Sequence, residues 1–222
     1  MPQDIPNIIR GVQTDYKKLY YSESDAALKV PVTLIQGYGL LKQGTVLARD
    51  TSTATPGRLF PYDPSLAVTG AENAPGRSYL VANQGTGTKV CSVSIADSYR
   101  FAIGDDIIIC DSDLEANMDD GGPITGIDRT TYTNFAVITF TTNTGDDFTV
   151  AKFAHVMHKG CFVAVGILEK SVDCGVGLNS KGALATLILG NCVLYSGMLL
   201  NMDSGAVTDL SAGTFGQYTY IR

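Results

Sequence analysis

The chain holds only two histidines, His155 and His158, with Val156-Met157 between them. Imidazole titrates near neutral pH and is the commonest metal ligand, so this spacing poses the first chemical question. On a helix, a separation of three would bring both rings to one face. On a strand it sends them to opposite faces. Lys152–Lys159 alternates as a strand does, so the pair is not expected to share a ligand. Cys161 follows closely, and a Cys161–His158 or Cys161–His155 nucleophile-and-base pair can be drawn on paper. Yet Cys161 opens an apolar run, where a thiol is ordinarily buried as a small hydrophobe. The five cysteines (Cys91, Cys110, Cys161, Cys174 and Cys192) are odd in number and contain no CxxC pair, which argues against a zinc ribbon. They read as buried reduced thiols, with disulfides between assembled subunits as the sharper alternative.

The acidic stretch Asp111-Ser112-Asp113-Leu114-Glu115-Ala116-Asn117 sets oxygen ligands at alternate positions, as calcium prefers. The EF-hand pattern fails, because Ala116 stands where its glycine belongs and Gly122 where its closing Glu belongs. The stretch reads as a solvated connection; were a cation held there, Asp111, Asp113 and Glu115 would be the ligands. Gly85-Thr86-Gly87-Thr88-Lys89 lacks both the Walker spacing and a following helix. No Gly-x-Ser-x-Gly elbow occurs. The expectation is therefore a protein without catalytic residues, cofactor or metal, and not an enzyme.

Composition narrows the class. Hydrophobic residues make up 45% of the 222, charged residues 17%, and 24 are glycine. That is globular composition, and the reverse of what disorder needs. A net charge of −6 with no basic stripe disfavours nucleic acid, which demands Lys and Arg against its phosphates. The longest apolar runs fall far short of a membrane span. Met1–Pro6 lacks the features of a signal peptide, so folding in a reducing cytoplasm is expected.

The elements that must position these residues read as strands. Val30–Ile35, Thr45–Arg49, Arg58–Tyr62, Val90–Ile95, Asp106–Cys110, Phe135–Thr141, Phe162–Leu168, Ala183–Leu189, Cys192–Tyr195 and a closing Gln217–Ile221 are β-branched, apolar or alternating, and Gly, Pro, Asn and Asp punctuate them. Helical signal is confined to Ser22–Leu28 and Ser112–Met118, both short. Residues 1–30 follow no clean period and read as an extended arm that becomes ordered by joining a neighbour's sheet edge. The class is all-β. Residues 65–159 read as a small β-barrel or sandwich of their own.

Two blocks resemble the head-decoration, or cement, proteins of tailed bacteriophages, of the phage lambda type. The first runs Val32-Thr33-Leu34-Ile35, then Leu41-Lys42-Gln43-Gly44-Thr45-Val46-Leu47-Ala48-Arg49, then Arg58-Leu59-Phe60-Pro61-Tyr62-Asp63. The second runs Ala164-Val165-Gly166-Ile167-Leu168-Glu169-Lys170-Ser171-Val172-Asp173, then Ala183-Leu184-Ala185-Thr186-Leu187-Ile188-Leu189-Gly190-Asn191-Cys192-Val193-Leu194. In compact family members the blocks lie close together; here residues 65–159 intervene. The resemblance implies a decoration-protein-like β core of β-tulip type (31–64 plus 160–222), split by an inserted β-domain (65–159) and preceded by a capsid-binding arm (1–30). In that arm Ile5, Ile8, Ile9, Val12, Tyr16, Leu19 and Tyr20 would be the contacts. It further implies a homotrimer on the major capsid protein at the outer surface of the virion, made in the bacterial host's cytoplasm and stabilising the shell. The alternative is a tail-fibre or surface adhesin module that binds a host glycan or receptor, with Tyr99, Tyr132 and Phe135 as an aromatic platform.

Overall fold

The computed structural model describes residues 19–20, 27–52, 56–64, 76–111 and 118–212, and the backbone of 218–221. In chain order the strands are β1 (Leu28–Leu34), β2 (Leu40–Leu41), β3 (Val46–Arg49), β4 (Leu59–Pro61), β5 (Ser78–Tyr79), β6 (Val90–Ser94), β7 (Asp106–Cys110) and β8 (Met118–Asp128). They continue with β9 (Phe135–Phe140), β10 (His155–His158), β11 (Ala164–Leu168), β12 (Val172–Asp173), β13 (Ala183–Gly190), β14 (Cys192–Tyr195) and β15 (Tyr218–Ile221). The protein is all-β in character, with two short helices, α1 (Ile95–Ser98) and α2 (Ser204–Ala212).

Five strands close a barrel in the order β1-β13-β11-β3-β4, and Leu34 of β1 meets Leu59 of β4 in parallel. The barrel packs in one apolar cluster, in which Leu34, Val46, Leu47, Phe60, Tyr62, Ile167, Leu168, Leu187 and Ile188 are all buried. β11 crosses this core on Gly166. A Cβ there would stand 2.7 Å from the Ile188 carbonyl oxygen and from the Leu187 side chain, so only glycine lets β13 approach. At the barrel's end Gly44 has φ +83°, which glycine adopts without strain. Its N–H donates to the Leu168 carbonyl at 2.9 Å and its own carbonyl accepts from Leu200 N–H at 3.0 Å.

Residues 76–158 build a second sheet, in the order β5-β10-β7-β8-β9-β6, over its own core of Phe101, Ile107, Ile109, Ile124, Ile138, Phe140, Phe148 and Val156. The expected small barrel or sandwich is here one sheet. It curls until Leu80, just past β5, bridges Val93 of β6.

Several expectations change. Leu19, expected on a free arm, is 1% exposed and belongs to the barrel's apolar cluster. Tyr20 is half-buried; it bridges Leu194, its hydroxyl donates to Glu169 Oε1 at 3.3 Å, and Lys29 Nζ lies 5.2 Å over its ring. Both side chains gain more by covering the barrel than by waiting for a partner. Ile5, Ile8, Ile9, Val12 and Tyr16 lie outside the described residues, as do Asp113 and Glu115. Asp111 is not in a solvated loop: it is fully buried directly after β7, with Lys152 Nζ at 3.8 Å. Met118, the end of one expected helix, opens β8, and Leu28, the end of the other, opens β1. The remainder of those two helical segments falls outside the described residues, apart from Ala27. The longer of the two helices described, α2, carries Gly205 and Thr208 and so has weak propensity. Its start is held by Asp203, whose carboxylate accepts from Ala206 N–H at 2.7 Å and from the Tyr62 hydroxyl at 3.0 Å.

Candidate functional site

Strand β10 lies within the second sheet, between β5 and β7, and its two histidines face two separate buried clusters. The separation of three residues on a strand divides them, as the alternation of Lys152–Lys159 requires. His155 gathers Asp63 and Cys110; His158 gathers Asp50 and Asp105. All six side chains are buried.

In the first cluster, Asp63 arrives from the chain just after β4, Cys110 ends β7, and His155 opens β10 opposite Cys110 in the ladder. Cys110 Sγ lies 3.1 Å and Asp63 Oδ2 2.9 Å from the same nitrogen, His155 Nε2. The other ring nitrogen, Nδ1, is 2.9 Å from the Phe153 carbonyl oxygen. A carbonyl only accepts, so Nδ1 carries a proton and donates it. Phe153 reaches that position with φ 55°, a left-handed conformation that is costly for a bulky side chain. The second carboxylate oxygen, Asp63 Oδ1, accepts from Arg77 Nε at 2.7 Å. Burial pushes the Arg77 guanidinium down, but Asp63 outweighs it and holds it above its ordinary value. Burial pushes the Cys110 thiol well up, and the Asp63 charge adds to this. Cys110 is therefore a thiol shut away from solvent, the opposite of an activated nucleophile. Cys161, the thiol drawn earlier as a nucleophile, is also buried and pushed up, first by desolvation.

In the second cluster Arg58 is the central cation. Its Nη2 lies 2.9 Å from Asp50 Oδ2 and 2.6 Å from Asp105 Oδ1, linking a barrel residue to one in the second sheet. The same seam is closed by Ser52 Oγ, which accepts from Asp106 N–H at 2.7 Å. His158 Nε2 donates to the Arg100 carbonyl at 3.2 Å. Its Nδ1 has no hydrogen-bond partner, and Asp105 Oδ2 is 3.9 Å away. The ring sits among Phe101, Phe60 and Tyr38, with centroids 4.9, 5.2 and 6.4 Å away. Burial holds His158 below the ordinary imidazole range, so the ring is neutral.

The five cysteines are unpaired and buried. Burial pushes Cys91 up to about 12, and Cys174 and Cys192 up to about 11. Of the aromatic residues named for a platform, Tyr132 and Phe135 stack at 4.4 Å with Tyr132 exposed, whereas Tyr99 lies under the Arg129 guanidinium at 4.6 Å. Neither carboxylate–histidine cluster was anticipated. The only sequence signal was a set of isolated polar residues inside apolar strands, which names no partner.

No protein-family model, curated protein or solved structure matches the chain.

Proposed function

We propose that this chain is a structural protein that coats an assembled shell, a decoration protein of the phage head type that binds the major capsid protein from outside as a homotrimer. One observation carries the reading: the two blocks that resemble that family pair strand to strand in one closed barrel, although residues 65–159 lie between them. β3 runs antiparallel to β11 with Val46 opposite Ile167, and β1 runs antiparallel to β13 with Val32 opposite Ala185. That is what one β-tulip-type core interrupted by an insert requires, since a surface loop tolerates an insertion whose ends lie close together. The curled sheet then stands as a knob on the core. The barrel segments also present Leu40, Val163, Val176, Leu178 and Leu184, each more than half exposed, as apolar surface for a neighbouring subunit.

With Leu19 and Tyr20 engaged in the chain's own core, the proposed shell-binding arm contracts to residues 1–18. Strand addition by that segment supplies main-chain hydrogen bonds, and a trimer repeats them with avidity. Binding to the assembled shell stabilises it by mass action. The test adds purified full-length protein to undecorated phage shells. Saturable, stoichiometric binding that raises the shell's melting temperature is expected, with loss of binding on removal of residues 1–18 and no change in the chain's own melting. Absence of binding to shells overturns the reading, and equal binding by the truncated chain overturns the arm. The stacked Tyr132–Phe135 pair, with Tyr132 exposed, favours an adhesin as the second reading, for which retention on a glycan array, abolished by Tyr132→Ala, is the decisive result.

A further inference from the structure

Three ligand-type atoms converge in the first cluster, the carboxylate of Asp63, the sulfur of Cys110 and a ring nitrogen of His155. His155 Nδ1 donates its proton to the Phe153 carbonyl, which turns Nε2 toward the cluster. That one nitrogen faces both Cys110 Sγ at 3.1 Å and Asp63 Oδ2 at 2.9 Å. In the second histidine cluster Arg58 bridges the two carboxylates. Arg77, by contrast, takes Asp63 from the far side at Oδ1 and leaves Oδ2 turned toward the histidine and the thiol.

We propose that Asp63 Oδ2, Cys110 Sγ and His155 Nε2 are ligands of a single zinc-class divalent metal ion, buried between the barrel and the second sheet. One sulfur, one imidazole nitrogen and one carboxylate oxygen make a borderline-soft donor set that suits Zn²⁺ and its spectroscopic substitute Co²⁺ over Ca²⁺ or Mg²⁺. Zinc bonds of about 2.0–2.3 Å at tetrahedral angles hold ligand atoms ~3.3–3.6 Å apart, so the two distances to His155 Nε2 need to open by only about half an ångström. The supporting contacts are those that metal-bound residues use. Nδ1–H to a backbone carbonyl fixes the ring, and a charged hydrogen bond fixes the free carboxylate oxygen. The strained Phe153 backbone, which aims that carbonyl, gains a purpose. Binding displaces the Cys110 thiol proton to solvent, so the ion's two positive charges meet one thiolate and one carboxylate. Because all three ligands are sealed from water, the ion is taken up as the chain folds. The inference stands whether or not the protein coats a shell.

The test unfolds the full-length protein in denaturant with chelator, refolds it with Co²⁺ and removes free metal by desalting. One cobalt per chain is expected, with a near-ultraviolet thiolate-to-cobalt charge-transfer band and visible d–d bands that Zn²⁺ bleaches. Cys110→Ser removes the thiolate band, while Cys91→Ser, a buried thiol of the second sheet's core, keeps it. X-ray absorption of the zinc-loaded wild type, which does not depend on the variant folding, shows sulfur beside lighter ligands. Failure of the wild type to retain cobalt, a thiolate band that survives Cys110→Ser, or a sulfur-free zinc shell each overturns the site.

Discussion

His158 shows how a single buried ring sets a pH dependence. Its Nε2 proton is used by the Arg100 carbonyl, and Phe60, Phe101 and Tyr38 surround the rest. Asp105 and Asp50 attract a second proton and Arg58 opposes it, but desolvation dominates and keeps the folded ring below its ordinary value. The unfolded chain binds a proton there once the pH falls below ~6.5, whereas the folded chain resists it. Below that value the unfolded state therefore holds more protons and is favoured. His158 contributes its full stability above ~6.5 and loses it progressively as the solution is acidified toward the folded value. Denaturant midpoints measured from neutral to mildly acidic pH should fall, and His158→Gln should flatten that dependence. An unchanged slope in the variant would place the effect elsewhere.

At the scale of elements, the barrel depends on glycines where two backbones meet. Gly44 joins the turn before β3 to Leu168 on one side and Leu200 on the other, with φ +83°. A Cβ there would run into the Met198 carbonyl oxygen, which is backbone and cannot swing aside. Gly44→Ala combines left-handed strain of about 1–2 kcal/mol with a clash costing about 1–3 kcal/mol. Chemical denaturation should therefore show a loss of at least about 2 kcal/mol. Gly57 offers the matched control, because it has φ +90° with nothing near the added methyl, so Gly57→Ala should show the conformational cost alone. Equal losses at the two positions would mean that close approach at Gly44 matters little.

The whole molecule is two cores joined by a charged seam. Arg58 spans from the barrel to Asp105 at the base of the second sheet, and Arg100 reaches back from that sheet to the Gly37 carbonyl at 3.3 Å. Asp50 and Asp105 are almost wholly buried, so removing their cation leaves two charges in a poor solvent. Breaking a buried pair on one side is far more costly than replacing both partners with apolar groups. Arg58→Met should destabilise the chain by about 3 kcal/mol and loosen the coupling between the cores, seen as a broadened or split unfolding transition. A sharp transition at the wild-type midpoint would show that the apolar cores dock without the seam.

Local chemistry determined much of this protein. The β-branched and apolar runs became strands β1, β11 and β13, and the separation of three sent the histidines to different clusters. Each of these follows from periods and steric limits that act within a few residues. Tertiary structure alone decided the rest. Leu19 could be read as a free contact until the barrel supplied a surface to bury it. The start of α2 rests on Asp203, whose partner Tyr62 is distant in sequence. Above all, Asp63, Cys110 and His155 meet only because β4, β7 and β10 are brought together. Burial and charge pairing are properties of that three-dimensional packing, and the order of residues along the chain does not encode them as a readable motif.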